Sequence, residues 1–306
     1  GTWVVAFSSG VNNVGPGNGN GHLFIRDALS GAAISKIPTQ TTPGVPAGSG
    51  AAPNHLGKIN AWIEDETNNT AARFYAGDML GYLWRFDFDD NLAPAGNESV
   101  LLGRALSAAG VPQPVTTKPV LAKVGSVATL PTVTFATGRY LGTTDIGDTT
   151  EQSLYVIKDA LTSTGLGTVR SNAGMVQQTM AAATVGGAAT RRVAIQQVDW
   201  STRSGWYIDF SLSAGERVSV DMIQTGRLLT VASNLPAPTA CNPGGSSWLY
   251  FFDLMNGTIS DAMLGDALTA GMNIVKLGES IKIIKWDTLG RPTVTTPLIP
   301  GGPGSN

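Results

Sequence analysis

Short apolar runs alternate along the chain with turns rich in Gly, Asn and Asp, and eight of the runs fall into four pairs built alike. Trp3–Ser9 leads to His22–Asp27, Phe74–Tyr75 to Leu83–Asp87, Val133–Ala136 to Ser153–Asp159, and Leu229–Ala232 to Trp248–Asp253. In each pair a strand-like run passes through a turn region into an aromatic-rich run that closes on aspartate, which is the pattern of a β-hairpin. Three closing aspartates stand just before a turn signal: Ser30-Gly31, Asp89-Asp90-Asn91 and Asn256-Gly257.

The closing aspartates are 60, 72 and 94 residues apart, more than the roughly 40–45 residues of a plain WD40 blade. Each unit therefore carries extra strands or long loops. Arg191–Gln197, Gly205–Phe210 and Glu216–Met222 read as further hairpin material, and Gly205–Phe210 is bulky on both faces, as a strand buried between sheets should be. A two-sided sheet buries both faces only between neighbours, so the predicted fold is all-β: a β-propeller of radially stacked antiparallel blades. Two short helices are predicted at Ser99–Ala109 and at Ser260–Gly271, the second with Ser260 as N-cap. Pro38–Pro53 reads as an uncharged loop covering a sheet and Gly15–Gly21 as a flexible loop. Residues 1–290 are expected to form part of a single propeller domain, with 291–306 a flexible tail.

Composition then removes several function classes. Among 306 residues, 20 Lys+Arg face 22 Asp+Glu for a formal net charge of -2, so there is no basic surplus to neutralise nucleic acid. Hydrophobic residues are 42% and charged residues 14%, enough for a sizeable core. No run approaches the roughly 18 apolar residues of a membrane span, and the first residues show no charged segment followed by an apolar one. The single Cys241 and the two histidines, His22 and His55, nearly exclude zinc on ligand supply. Neither a Gly-x-Ser-x-Gly elbow nor a phosphate-binding glycine loop followed by Lys is present.

Tyr75-Ala76-Gly77-Asp78-Met79-Leu80-Gly81-Tyr82-Leu83-Trp84-Arg85-Phe86-Asp87 resembles the most recognisable stretch of the PilY/PilC proteins, tip-located adhesins and biogenesis factors of bacterial type IV pili. Six further segments resemble that family in its order: Val5–Asn13, Ala136–Leu141, Gln152–Tyr155, Gly205–Asp209, Gly215–Val218 and Gly244–Leu249. The resemblance runs from about residue 3 to residue 257. It implies a modified, quinoprotein-like propeller of which this chain holds the later blades, so an incomplete ring, or a partner chain supplying the missing blades, is expected. It also implies a non-enzymatic protein at the pilus tip on the cell surface, reached through the periplasm. Its expected partners are minor pilins and host or abiotic surface ligands, and its expected roles are pilus assembly, control of extension against retraction, and adhesion. The Arg-Gly-Asp tripeptide of some family members is absent.

The resemblance further places an EF-hand-like calcium loop at Glu64–Ala72. Anchored on Arg73–Asp78, it sets Glu64, Glu66 and Asn68 at loop positions 1, 3 and 5, Asn69 at the sharp turn and Thr70 as a carbonyl donor. Ala72 stands where the family has an aspartate, so the loop is degraded and calcium, if held, is expected to bind weakly, in the roughly 0.1–1 mM range. The register Asp65, Thr67 and Asn69 carries fewer charges and ranks lower, and the alternative to any ion is a solvated acidic turn. Two rival functions remain. A quinone-dependent oxidoreductase propeller would need a charged funnel around an acidic cofactor, whereas the recurring aspartates here read as structural. A carbohydrate-binding propeller would use Trp62, Trp200 or Trp286, the tryptophans outside the clear strand patterns that hold Trp3, Trp84, Trp206 and Trp248.

Overall fold

The computed structural model describes residues 2–64, 67, 69–87, 99–123, 130–237, 244–278 and 280–298. They are all-β, with 22 strands, two short 3-10 turns and no α-helix among them. They divide into two compact units, Gly1–Leu121 with Asp159–Asn172, and Ala122–Lys158 with Ala173–Asn306.

The first unit holds two sheets. Val4–Ser8, His22–Asp27 and Ala33–Pro38 form one, and Ile59–Ile63, Ala71–Gly77, Tyr82–Asp87 and Ser99–Arg104 form the other, both with sequential antiparallel order. Side chains alternate across each strand. Leu23, Ile25 and Ile37 therefore share one face of the first sheet, where they pack with Leu56, Phe74, Ala76, Trp84 and Phe86 into a common core. The short ribbon Gln40–Thr42/Val45–Pro46 lies against the second sheet, as expected of the Pro38–Pro53 loop: Gln40 N–H donates to Ser99 Oγ, which donates to Pro38 O.

The second unit holds three sheets. In one, of six strands, five successive ones are Thr132–Ala136, Ser153–Lys158, Gly205–Asp209, Met175–Val185 and Ala188–Ala194. Gly205–Asp209 is buried throughout and pairs antiparallel with Ser153–Ile157 but parallel with Met175–Gln178. This insertion accounts for the long interval between Asp159 and Asp253. Phe135, Tyr155 and Tyr207 stack across the three central strands, with centroids 5.0 and 5.7 Å apart. Ile223–Thr225, Leu228–Pro236, Gly245–Asp253 and Ile259–Gly265 form the next sheet, and Thr269–Leu277, Ser280–Asp287 and Pro292–Thr295 the last. Leu228, Ala232, Leu249 and Phe251 of the former pack on Ile283 of the latter.

All four hairpins read from the sequence are present in the expected pairings. The two helices are not. Ser99–Arg104 and Ile259–Gly265 are strands, because Val100 and Leu102 fit the period of 2 and neighbouring strands offer ladder partners that outweigh helix propensity. Strand pairing also continues past residue 290: the chain turns back at Asp287–Arg291 and Pro292–Thr295 pairs with Ile283–Trp286. The segment 291–306 is therefore not a tail from its first residue. Trp3, placed by its pattern in the first strand, lies just before it and is exposed.

Candidate functional site

Ile59–Ile63 and Ala71–Gly77 pair antiparallel, so the acidic stretch is the loop between them. Glu64 Oε1 accepts a charge-assisted hydrogen bond from Arg73 Nη2. The Arg73 side chain is 4% exposed and that of Glu64 is 49% exposed. Asn69 adopts φ 53°, the left-handed conformation its turn position requires. Thr70 is exposed, and Ala72 is buried inside the strand. Glu66 and Asn68, like Asp65, lie outside the described residues. Among the described residues, no three His, Cys, Asp or Glu side chains converge as a metal site would require.

Beneath this loop runs a buried charge network. Arg73 stands directly opposite Asp87 across the ladder. Arg85, fully buried, donates from Nε to Asp87 Oδ2 and from Nη1 to Asp159 Oδ1, each at 2.8 Å, and from Nη2 to Thr162 O at 3.0 Å. The Tyr75 hydroxyl donates to Asp159 Oδ2 at 2.8 Å. Burial raises the Asp87 carboxyl above its ordinary range, against the pull of Arg85. Burial also works against the Arg85 charge, but Asp159 and Asp87 hold the guanidinium more firmly protonated than usual. Tyr75 is pushed up by burial and by Asp159. Asp87 Oδ1 and Arg73 Nε are buried without a hydrogen-bond partner among the described residues.

Asp78 organises the turn that follows. Its Oδ1 accepts from Leu80 N–H at 2.9 Å and Tyr82 N–H at 3.0 Å, and its Oδ2 accepts from Asn54 Nδ2 and Trp84 Nε1, both at 2.8 Å. Burial pushes this carboxyl up to about 6, while the four donors pull it back.

In the second unit, Arg191 of the Ala188–Ala194 strand reaches Glu216 and Tyr250. Its Nη1 lies 2.6 Å from Glu216 Oε2, and its guanidinium stacks 4.2 Å from the Trp248 ring centre. Ser233 Oγ and the Tyr250 hydroxyl both donate to Glu216 Oε1 at 2.6 Å. Burial, with Glu216 beside it, raises the Tyr250 hydroxyl.

The recurring aspartates act on their own turns. Asp27, Asp159 and Asp253 each accept at Oδ1 from the backbone N–H two residues on, at 3.0, 2.9 and 2.9 Å. Asp287 does the same toward Leu289 at 2.9 Å. It closes a fifth unit that sequence reasoning missed, although Trp286-Asp287-Thr288-Leu289-Gly290 repeats the aromatic-Asp-turn signal. Also missed were the roles of Arg73, Arg191 and Glu216, whose partners lie far away in the sequence or across a loop.

Among the described residues, cavities of about 610 and 620 Å³ open on the sheets. The first lies over Phe7, Asn13, His22, Phe24 and Lys36, and the second over Val185, Arg192, Ile259, Met263 and Leu264. The buried carboxylates and tyrosines described above line neither. Trp62 and Trp200 are buried, and Trp200 Nε1 donates to Met255 O at 2.8 Å, whereas Trp286 is partly exposed. His22 Nδ1 lies 2.9 Å from Asn20 O, and His55 Nδ1 accepts from Asn12 N–H at 2.7 Å. Cys241 lies outside the described residues.

Comparison with known proteins follows the same lines. The sequence profile of the PilY1 β-propeller domain matches residues 1–186. The type IV pilus biogenesis factor PilY1 of Pseudomonas aeruginosa PAO1 is 29% identical over 300 residues, covering 84% of this chain and 24% of that protein. A PilY1 homolog of Xylella fastidiosa Temecula1 is 28% identical over 295 residues, covering 90% and 22%. This chain thus spans about a quarter of the length of those relatives. The crystal structure of the P. aeruginosa PilY1 C-terminal domain superposes with a TM-score of 0.75 at 22% identity, covering 98% of this chain and 70% of that one.

Proposed function

Since the chain belongs to the PilY1 β-propeller family, we propose that it is the propeller portion of a non-enzymatic type IV pilus biogenesis factor, displayed at the cell surface at the pilus tip. There it contacts minor pilins, supports pilus assembly and the balance of extension against retraction, and presents loops for adhesion. The observation that carries the non-enzymatic reading is where the perturbed groups lie. Asp78, Asp87, Tyr75 and Tyr250 are spent on hydrogen bonds inside the sheets and their turns, and His22, lowered by burial and by Lys36 at the first cavity, lies against Asn20 O with no carboxylate among the described residues lining that cavity, whereas catalytic groups with shifted pKa values gather in a cleft that substrate can enter. Fold likeness to quinoprotein propellers does not by itself confer their chemistry.

The test is genetic and biochemical together. Deletion of the encoding gene should abolish surface pili, the wild-type gene should restore them, and minor pilins should copurify with the protein from sheared pili. Normal piliation in the deletion strain would overturn the reading. Steady quinone-dependent oxidation of alcohols or sugars by the purified protein, followed with a dye acceptor, would overturn its non-enzymatic part.

A further inference from the structure

A calcium loop needs about six to eight oxygens converging from alternate positions. The described residues of Glu64–Ala72 fit that need poorly, and the structure shows what stands in its place. The Glu64 carboxylate, the first acid of the loop, is already engaged by the guanidinium of Arg73. Ala72 supplies no side-chain oxygen and is buried in the strand. Arg73 itself is nearly buried and faces a second carboxylate, Asp87, across the ladder, and its charge favours the ionised form of Asp87. One tethered cation thus sits between two acids from different segments.

We propose that Arg73 is the resident counter-ion of this hairpin, so that the Glu64 loop closes on a side chain of the protein and not on a divalent cation. The argument is electrostatic. A nearly buried guanidinium that loses a half-exposed carboxylate loses a modest part of its compensation, so an ion that takes Glu64 must offset that loss as well as bind its own ligands. A divalent ion brought up to this loop also meets a positive charge that cannot leave. Asn69 holds the left-handed conformation, and strand pairing starts at Ala71. This inference concerns the loop alone and stands apart from the pilus role proposed above.

Hydrogen exchange of the backbone amides of residues 64–76, on the whole chain in EGTA and in 5 mM calcium, tests it together with calorimetry. Wild-type exchange and Tm should be the same in both conditions, with no binding heat. Glu64→Gln, a change at a half-exposed side chain that leaves the fold intact, should speed exchange of these amides about three- to fivefold, as expected for loss of a partly exposed ion pair, and equally with and without calcium. Slower wild-type exchange in calcium, or a calcium heat that Glu64→Gln removes, would overturn the proposal. So would a Glu64→Gln variant whose amides exchange at the wild-type rate.

Discussion

The Tyr75 hydroxyl donates to Asp159 Oδ2 at 2.8 Å, joining two groups 84 residues apart in the chain. Asp159 also takes Arg85 Nη1 and the N–H of its own turn at Leu161, so this one carboxylate ties a strand, an ion pair and a hairpin end together. Tyr75→Phe keeps the ring in the core and removes one donor from a buried acceptor. The expected cost is about 1–2 kcal/mol, read as a lower urea midpoint with unchanged slope. An unchanged midpoint would mean that Arg85 and Leu161 satisfy Asp159 without the tyrosine.

Glu216 and Arg191 are expected to behave as a unit. Glu216→Gln leaves the Arg191 charge buried without a carboxylate and should cost about 3–5 kcal/mol. The pair Glu216→Gln with Arg191→Met should recover part of that loss in chemical unfolding, because the stranded charge goes with it. A double variant less stable than the single would contradict this.

Asp78 makes stability depend on pH in a particular direction. Its folded pKa of about 6 lies above the roughly 3.9 of an exposed aspartate, so the fold prefers the protonated acid. Its contribution is therefore full below about pH 4 and is lost as pH rises through about 6. Asp78→Asn does not titrate, so the wild-type advantage over Asp78→Asn, measured by urea unfolding, should shrink between pH 4 and pH 7. At any pH the substitution sets an amide N–H₂ against the Asn54 and Trp84 donors and should cost about 1–3 kcal/mol. A pH-independent gap would contradict the assignment.

Two turn glycines separate steric from backbone cost. Gly257 has φ 76°, and a Cβ there would lie 2.9 Å from the Trp206 ring, whereas Gly290 has φ 78° with no atom within 4 Å of such a Cβ. Gly290→Ala should carry only the left-handed backbone penalty of about 1 kcal/mol. Gly257→Ala should lose a further 1–3 kcal/mol or so as the indole is displaced. Equal thermal shifts for the two would show that Trp206 yields freely.

Much of the fold is legible along the chain because its signals are local. Asn256-Gly257 marks a turn whose glycine adopts positive φ, and Asp27, Asp159 and Asp253 each cap a turn two residues away. The fifth unit escaped notice because polar residues such as Lys282 and Lys285 interrupt the apolar run before Trp286. The apparent helices failed for a related reason. Over a few residues, Ser99–Arg104 and Ile259–Gly265 satisfy either period, and only the strands beside them settle which one is used. At the acidic loop, the family resemblance placed the turn at Asn69, but the engagement of Glu64 by Arg73 was not legible.

What the sequence by itself determined is the all-β character, the hairpin repeat and its closing aspartates, since alternation and turn chemistry act within a few residues of one another. What only the tertiary structure decided is which charges meet: Tyr75 and Arg85 with Asp159, Arg191 with Glu216, Arg73 with Glu64, and the parallel seating of Met175–Gln178 against Gly205–Ile208. The physical reason is that ion pairing and strand pairing are chemically degenerate. Any arginine can satisfy any carboxylate and any strand edge can extend any other. The choice falls to the packing that brings two particular groups together and seals them from water.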